Sequence, residues 1–203
     1  MPTTLPDLKR TALLIGDLQN DFLDPKGAYG RAGQSAPEFS ALPGQVLTVA
    51  NAIKRGGGMV VASRFTLWPD ATGEPMIAPH LRRLRPFLTR GDFAPDSWGQ
   101  QVVEPLNDLV DVAVNKVAYS SFYSTQLDWV LRHAGIDTVV VTGIVTQGGV
   151  ASTVRDAHVR EFHPIVLSDG CASLSKLLHE TALADLASIA SVITCSEFLK
   201  DTV

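Results

Sequence analysis

Short apolar strand segments alternate with amphipathic helical segments six times along this chain. The clearest unit starts at residues 139–142, a β-branched apolar run typical of a strand covered on both faces. Gly143 follows this run, and apolar or small residues then recur at helical spacing, at Val150, Thr153, Val154 and Ala157. The alternation predicts a three-layer α/β/α fold with a six-stranded parallel sheet and right-handed crossovers.

The remaining elements follow from the same periodicities. Five further strands are predicted at residues 11–17, 59–63, 111–115, 164–168 and 191–194. Further helices are predicted at residues 43–55, 100–109, 124–134 and 174–189. In the third of these, Ser124 is the expected N-cap, and Gly135 suits the position after the C-terminus. Residues 68–99 are irregular and rich in Pro, Gly, Arg and aromatic residues, which predicts a functional loop or lid.

Composition favours a single domain over residues 1–203 that is soluble and cytoplasmic. Hydrophobic residues make up 45% of the chain and charged residues 19%, which is enough for a sizeable core. The formal charge of −4 gives no reason to expect nucleic acid, and no apolar run is long enough to span a membrane. The two cysteines form no disulfide framework. The basic cluster at Arg82, Arg83, Arg85 and Arg90 is typical of a solvated surface.

Chemically capable groups stand at three predicted strand ends. Asp17 follows the first strand, Lys116 follows the strand at 111–115, and Gly148 and Gly149 form a turn before a helix. The carboxyl ends of parallel strands meet at one edge of an open sheet, so the three are expected to converge there. An Asp beside a Lys in a partly dry pocket can move a proton. Taken singly, Asp17 could cap a turn and the glycines could be a plain connection; the joint occurrence favours a site.

These segments resemble the isochorismatase-like hydrolase superfamily, also called the cysteine hydrolases. The resemblance covers residues 11–194, through LLIGDLQNDF around Asp17, NKVAYSSFYSTQ around Lys116 and VVVTGIVTQGGVASTVRDA before and after Gly149. It implies a six-stranded parallel sheet between helices and a catalytic Asp, Lys and, in most members, Cys. Asp17 and Lys116 match the first two, whereas Gly149 stands at the Cys position. The resemblance also implies homodimers or homotetramers and an unusual cis peptide bond, expected at Val145–Thr146.

Glycine at position 149 constrains the expected reaction, because it supplies no thiolate for covalent amide or nitrile hydrolysis. The isochorismatase branch also has glycine there. That resemblance implies cleavage of a vinyl ether, in which Asp17 protonates the enol-ether carbon, water adds to the resulting cation and Lys116 orients the substrate. Thr146 and Ser152 have no base in the motif to activate them, and Cys171 is expected to be a small buried residue.

The substrate is expected to be a small molecule held beside these motifs. The candidate binding residues are Gly148, Thr146, Val145, Arg64, Tyr119 and Phe22. Arg64 stands where isochorismatases carry Gln. Its planar guanidinium either binds a substrate carboxylate or forms a structural ion pair. Tyr119 and Phe122 are expected to line the pocket or a subunit contact. No Asp-x-His pair follows the second strand, so neither a catalytic metal nor a cofactor is expected.

Together these features predict an isochorismatase-like hydrolase that cleaves a small carboxylate-bearing substrate without a cysteine nucleophile. Two alternatives stay open. One is a C–N hydrolase acting on amides or ureides, or a Cys-to-Gly variant of such an enzyme. The other is a catalytically silent small-molecule-binding protein that keeps the pocket.

Overall fold

A computed structural model describes residues 6–200 of the protein. Its centre is a six-stranded sheet in which every pairing is parallel, in the order β3-β2-β1-β4-β5-β6. The strands are β1 (Thr11–Gly16), β2 (Met59–Phe65), β3 (Val112–Lys116), β4 (Thr138–Ile144), β5 (His163–Ala172) and β6 (Ser191–Ile193). The predicted fold class is therefore confirmed.

Helices cover both faces of the sheet. They are α1 (Asn20–Leu23), α2 (Ala28–Arg31), α3 (Pro37–Arg55), α4 (Pro79–Leu84), α5 (Leu127–His133), α6 (Ala151–Val159), α7 (Lys176–Leu186) and α8 (Cys195–Lys200). Single 3₁₀ turns occur at Leu8–Arg10 and Asn107–Leu109, and a π-helical turn at Thr146–Val150 leads into α6. No helix within residues 6–200 is both long and apolar enough to cross a membrane.

Several predicted boundaries are wrong, mostly at helix ends. The helix predicted at 100–109 is reduced to the 3₁₀ turn at its end. The helix predicted from residue 43 begins at Pro37, which suits a first helical position, so Pro43 lies inside it. Ser124 is not an N-cap, because its φ of 54° is left-handed and α5 begins only after Gln126. Gly135 does adopt the expected left-handed conformation after α5, with φ 70°.

The core explains why the strands are almost continuously apolar. On one face, Leu13 and Ile15 of β1 belong to a buried cluster with Val46, Val49 and Ile53 of α3. On the other face, Leu14 and Val141 belong to a cluster that includes the following helix residues: Leu127, Leu131, Val154 and Ala157. Every residue of β4 is buried. The central strands are thus fixed from both sides, and their carboxyl ends form a rigid edge.

Candidate active site

Asp17 leaves the sheet directly after β1, in a left-handed backbone conformation with φ 61°. Such a conformation costs a non-glycine residue about 1–3 kcal/mol, and Asp tolerates it better than most residues. The Asp17 amide donates a hydrogen bond to the carbonyl oxygen of Ser63 in β2 at 3.0 Å. The neighbouring strand therefore fixes the direction in which the Asp17 side chain leaves the sheet.

Lys116, the last residue of β3, reaches Asp17 across the end of β2. Its Nζ donates to Asp17 Oδ2 at 2.7 Å and to the carbonyl oxygens of Ala118 at 3.2 Å and Tyr119 at 3.0 Å. Three acceptors satisfy the three N–H groups of an ammonium, so the lysine is held in one orientation. The other carboxylate oxygen, Asp17 Oδ1, is buried without a hydrogen-bond partner in the described chain. Lys116 thus holds one oxygen of Asp17, and the other is shielded and has no hydrogen-bond partner within residues 6–200.

The pKa of Asp17 is raised above that of an ordinary aspartate, because burial removes water from the carboxylate. The charge and hydrogen bond of Lys116 oppose this effect by favouring the ionised form. Burial is the larger influence. Asp17 therefore retains its proton to a higher pH than an exposed aspartate does.

Gly149 completes the arrangement from the other side of β1. It lies in the π-helical turn after β4, and a Cβ atom placed on it would be 3.3 Å from Asp17 Oδ2 and 3.0 Å from the carbonyl oxygen of Ile144. A side chain at this position would project against the carboxylate. The cis peptide bond lies at Ile144–Val145, one residue before the expected Val145–Thr146, because it coincides with the exit from β4.

These groups line one cavity of about 630 Å³, within the range of small-molecule sites. Of the sequence-predicted residues, it includes Asp17, Lys116, Gly149, Val145, Tyr119 and Phe22. The cavity also takes in much of the predicted lid, residues 68–99, from which Trp68, Met76, Ile77, Ala78, His80, Leu81 and Arg85 line it. The convergence predicted from the strand ends therefore holds in the tertiary structure.

Four predicted contact residues lie outside the cavity lining. Arg64 sits in β2, where side chains alternate between faces, and its Nε donates to Asn115 Oδ1 at 3.1 Å while Phe65 lines the cavity. Gly148 is buried, and a Cβ atom placed on it would lie 3.0 Å from Val145 Cγ2. Thr146 is fully buried. Phe122 is a core residue whose ring stacks on that of Phe162, with centroids 5.9 Å apart.

Tyr29 and Arg85 also line the cavity and were not among the site residues predicted from the sequence. The Arg85 Nε donates to the Tyr29 hydroxyl at 2.9 Å. Arg85 belongs to the basic cluster assigned to a solvated surface, but the lid folds back and leaves it only partly exposed. The mixture of arginines and aromatic residues in an irregular segment was the available signal.

The family model described as Isochorismatase domain matches residues 11–197. This chain belongs to the isochorismatase family. The ureidoacrylate amidohydrolase RutB of Caulobacter vibrioides is 33% identical to it over 180 residues, covering 83% of this chain and 80% of that protein. Other proteins similar to this chain are also hydrolases, and this protein is a hydrolase.

Solved structures of similar fold support the family assignment. A cysteine hydrolase from Pseudomonas syringae pv. phaseolicola has a TM-score of 0.82 and 26% identity, over 100% of this chain and 98% of its own. The N-carbamoylsarcosine amidase of Thermoplasma acidophilum has a TM-score of 0.70 and 26% identity, over 92% of this chain and 96% of its own. The sheet and strand ends described above are thus a shared scaffold.

No thiol of this isochorismatase-family protein lines the cavity. Cys171 is buried, its Sγ lies 3.7 Å from the carbonyl oxygen of Val141, and burial raises the pKa of its thiol to about 12. Burial also raises the pKa of Cys195.

Thr146 Oγ1 lies 2.8 Å from Nδ1 of His179, a partner that the motif did not reveal. Residues 6–200 contain no group of three or more His, Cys, Asp or Glu side chains that could hold a metal ion.

Proposed function

We propose that this hydrolase cleaves a small carboxylate-bearing substrate without a cysteine nucleophile, with Asp17 as general acid. Lys116 orients the substrate indirectly, by fixing Asp17, because its three N–H groups already have acceptors within the chain. The observation that carries this proposal is the asymmetry of the Asp17 carboxyl group. Lys116 holds Oδ2 at 2.7 Å, whereas Oδ1 is buried without a partner in a residue that lines the cavity. A proton on the Asp17 carboxyl group can be transferred to a substrate in this cavity, and burial favours its retention.

The reaction that fits these groups is hydrolysis of a vinyl ether. Asp17 transfers its proton to the terminal enol carbon, which leaves a cation stabilised by the ether oxygen. Water adds to the cationic carbon and gives one proton to Asp17. The hydroxyl proton of the resulting hemiketal moves to the ether oxygen as the C–O bond to the alcohol breaks. The products are an alcohol and a keto acid, and Asp17 regains a proton. Lys116 stabilises the carboxylate that exists between the two proton transfers.

Asp17→Asn tests the acid role. The amide has the shape of the carboxyl group but cannot transfer a proton, so turnover should fall by about 10²–10⁴-fold while ligand affinity changes little. Candidate vinyl ethers, amides and ureides would be screened first, with pyruvate or ammonia release as the readout. Asp185→Asn is the control, because Asp185 is also paired with a cation, Arg155, but lies at the surface outside the cavity lining. Unchanged turnover in Asp17→Asn would refute the acid role.

A second candidate is hydrolysis of a C–N bond in an amide or ureide, which the names of the relatives favour. Gly149→Cys tests it, because a side chain there would lie against Asp17 once Ile144 has moved by a few tenths of an ångström. New ammonia release from amides or ureides would support a C–N hydrolase scaffold, and no gain would favour the first candidate. Ligand binding without any turnover by the natural chain would instead support the silent binding protein.

A further inference from the structure

We propose that Arg85 is the carboxylate-binding residue of this site and that the substrate is a monocarboxylate with a flat apolar body. This inference rests on the proposed function, because it assigns the substrate class of the same cavity. It replaces Arg64, which the structure directs away from the cavity.

The charges lining the cavity do not balance without a ligand. Lys116 is paired with Asp17, so that their charges cancel if both are ionised. Arg85 forms no ion pair within residues 6–200, although its charge also acts on the Asp17 carboxyl group. Its Nε donates to the neutral Tyr29 hydroxyl, and the Tyr119 side chain also lies beside it. A guanidinium in a partly dry, mostly apolar cavity is costly unless an anion accepts its remaining hydrogen bonds. A substrate carboxylate supplies the missing partner.

The structure holds the guanidinium in place before any ligand binds. Arg85 directly follows α4, and its amide donates to the carbonyl oxygen of Leu81 at 3.1 Å. Tyr29, which positions the Arg85 side chain, packs edge-on against Phe87 with ring centroids 5.0 Å apart. A preorganised guanidinium loses less entropy on binding than a free arginine, and its planar fork matches a carboxylate.

The wall of the cavity selects for an apolar body. Phe22 and Phe65 line it, and both pack against the fully buried Phe93, with centroids 4.5 and 5.2 Å away. Ile77 and Leu67 extend the same surface. Flat groups can stack on such rings, whereas a second carboxylate there would lose its hydration without gaining a partner. The aromatic part of the wall therefore favours an apolar group over a second acidic group.

Calorimetric titration of the full chain with benzoate, benzamide, acetate and phthalate tests both parts of the inference. Benzoate should bind the natural chain at least tenfold more tightly than benzamide, acetate or phthalate. Arg85→Gln should weaken benzoate at least tenfold and leave benzamide within threefold. Arg85→Lys keeps the positive charge but loses the planar guanidinium. Its affinity for benzoate should lie between those of the natural chain and Arg85→Gln. Arg90→Gln is the matched control, because this lid arginine pairs with Glu74 outside the cavity and should leave all affinities unchanged.

Equal binding of benzoate by the natural chain and Arg85→Gln, or no binding of benzoate at all, would overturn the assignment of Arg85. Phthalate binding as tightly as benzoate would overturn the monocarboxylate class. Because these are binding measurements, they separate this inference from the proposed chemistry. Full turnover in Asp17→Asn with the Arg85 effect intact would refute only the acid role, and the converse result would refute only the carboxylate assignment.

Discussion

At the scale of single residues, the site depends on an ion pair buried at the end of the sheet. The side chains of Lys116 and Asp17 are 2% and 9% exposed, whereas those of Arg155 and Asp185, which also form an ion pair, are about half exposed. Burying two charges is costly, and their attraction compensates only while both partners are present. The pair is thus a vulnerable feature of the fold as well as a reactive one.

At pH values where Asp17 is ionised, Lys116→Met should lower the free energy of unfolding by about 3–5 kcal/mol, because it leaves the Asp17 carboxylate buried without its partner. Urea denaturation followed by circular dichroism measures the loss. Arg155→Met removes one partner of an exposed pair and should cost about 1 kcal/mol or less. Equal losses in the two variants would show that the Asp17–Lys116 pair behaves as a surface ion pair.

The raised pKa of Asp17 predicts a pH dependence of stability. Folded Asp17 binds its proton more tightly than unfolded Asp17 does, so stability falls as the pH rises from about 3.9, the usual value, through the raised pKa. Asp17→Asn has no such proton and should lack this decline. Urea unfolding of both proteins across this pH range measures the difference. A natural chain that gains stability over Asp17→Asn in this range would show that the pKa is lowered.

At the scale of elements, the π-helical turn is held by the first residues of α6. Thr153 Oγ1 donates to the carbonyl oxygen of Gly149 at 2.7 Å and accepts a hydrogen bond from the Ser121 amide at 3.0 Å. Ser121 in turn bonds to the Ser63 hydroxyl at 2.7 Å. This buried set of hydroxyl groups connects the turn to β2, whose Ser63 carbonyl positions Asp17. Gly149 and Asp17 are therefore fixed relative to each other.

Thr153→Val removes the hydroxyl group at nearly constant shape and leaves the Ser121 amide and the Gly149 carbonyl without this partner. We expect a loss of about 1–3 kcal/mol in unfolding free energy, together with a lower turnover number, because Gly149 is less firmly held. Chemical denaturation and steady-state kinetics measure the two effects.

Thr48→Val is the matched control, because Thr48 also donates to a carbonyl of its own helix but is exposed in α3. It should change stability by about 0.5 kcal/mol or less. A Thr153→Val protein as stable and active as Thr48→Val would show that the hydroxyl set does not position the turn.

At the scale of the whole molecule, large apolar side chains remain on the surface of the single chain. Leu177 and Val159 are 71% exposed and Trp129 is 62% exposed. We propose that the chain forms a homodimer or homotetramer that covers part of this surface. Sedimentation velocity at micromolar concentration should give a mass of two or four chains of 21.8 kDa. A single-chain mass at every concentration tested would contradict the proposal.

Much of the fold and half of the site follow from local patterns. Strand periodicity located all six strands, and Asp17, Lys116 and Gly149 were placed at one edge because parallel strands share their direction. The boundaries at Ser124 and at residues 100–109 failed because local propensity does not include the tertiary contacts that end a helix. Arg64 was one candidate for the site and Arg85 was assigned to a solvated surface, whereas Arg85 lines the cavity and Arg64 does not. Sequence distance from a strand end does not reveal how a long loop folds.

The sequence by itself determined the sheet, the order of its chemical groups and the absence of a thiol at position 149. Those features depend on residue identity and on periodicities of two or 3.6 residues, which can be read locally. Only the tertiary structure decided that Lys116 satisfies one oxygen of Asp17, that Arg85 lines the cavity without an ion pair in the described part of the chain, and that Phe93 supports the aromatic wall. Each of these depends on packing between segments far apart in the chain, where burial and distance rather than residue type fix the chemistry.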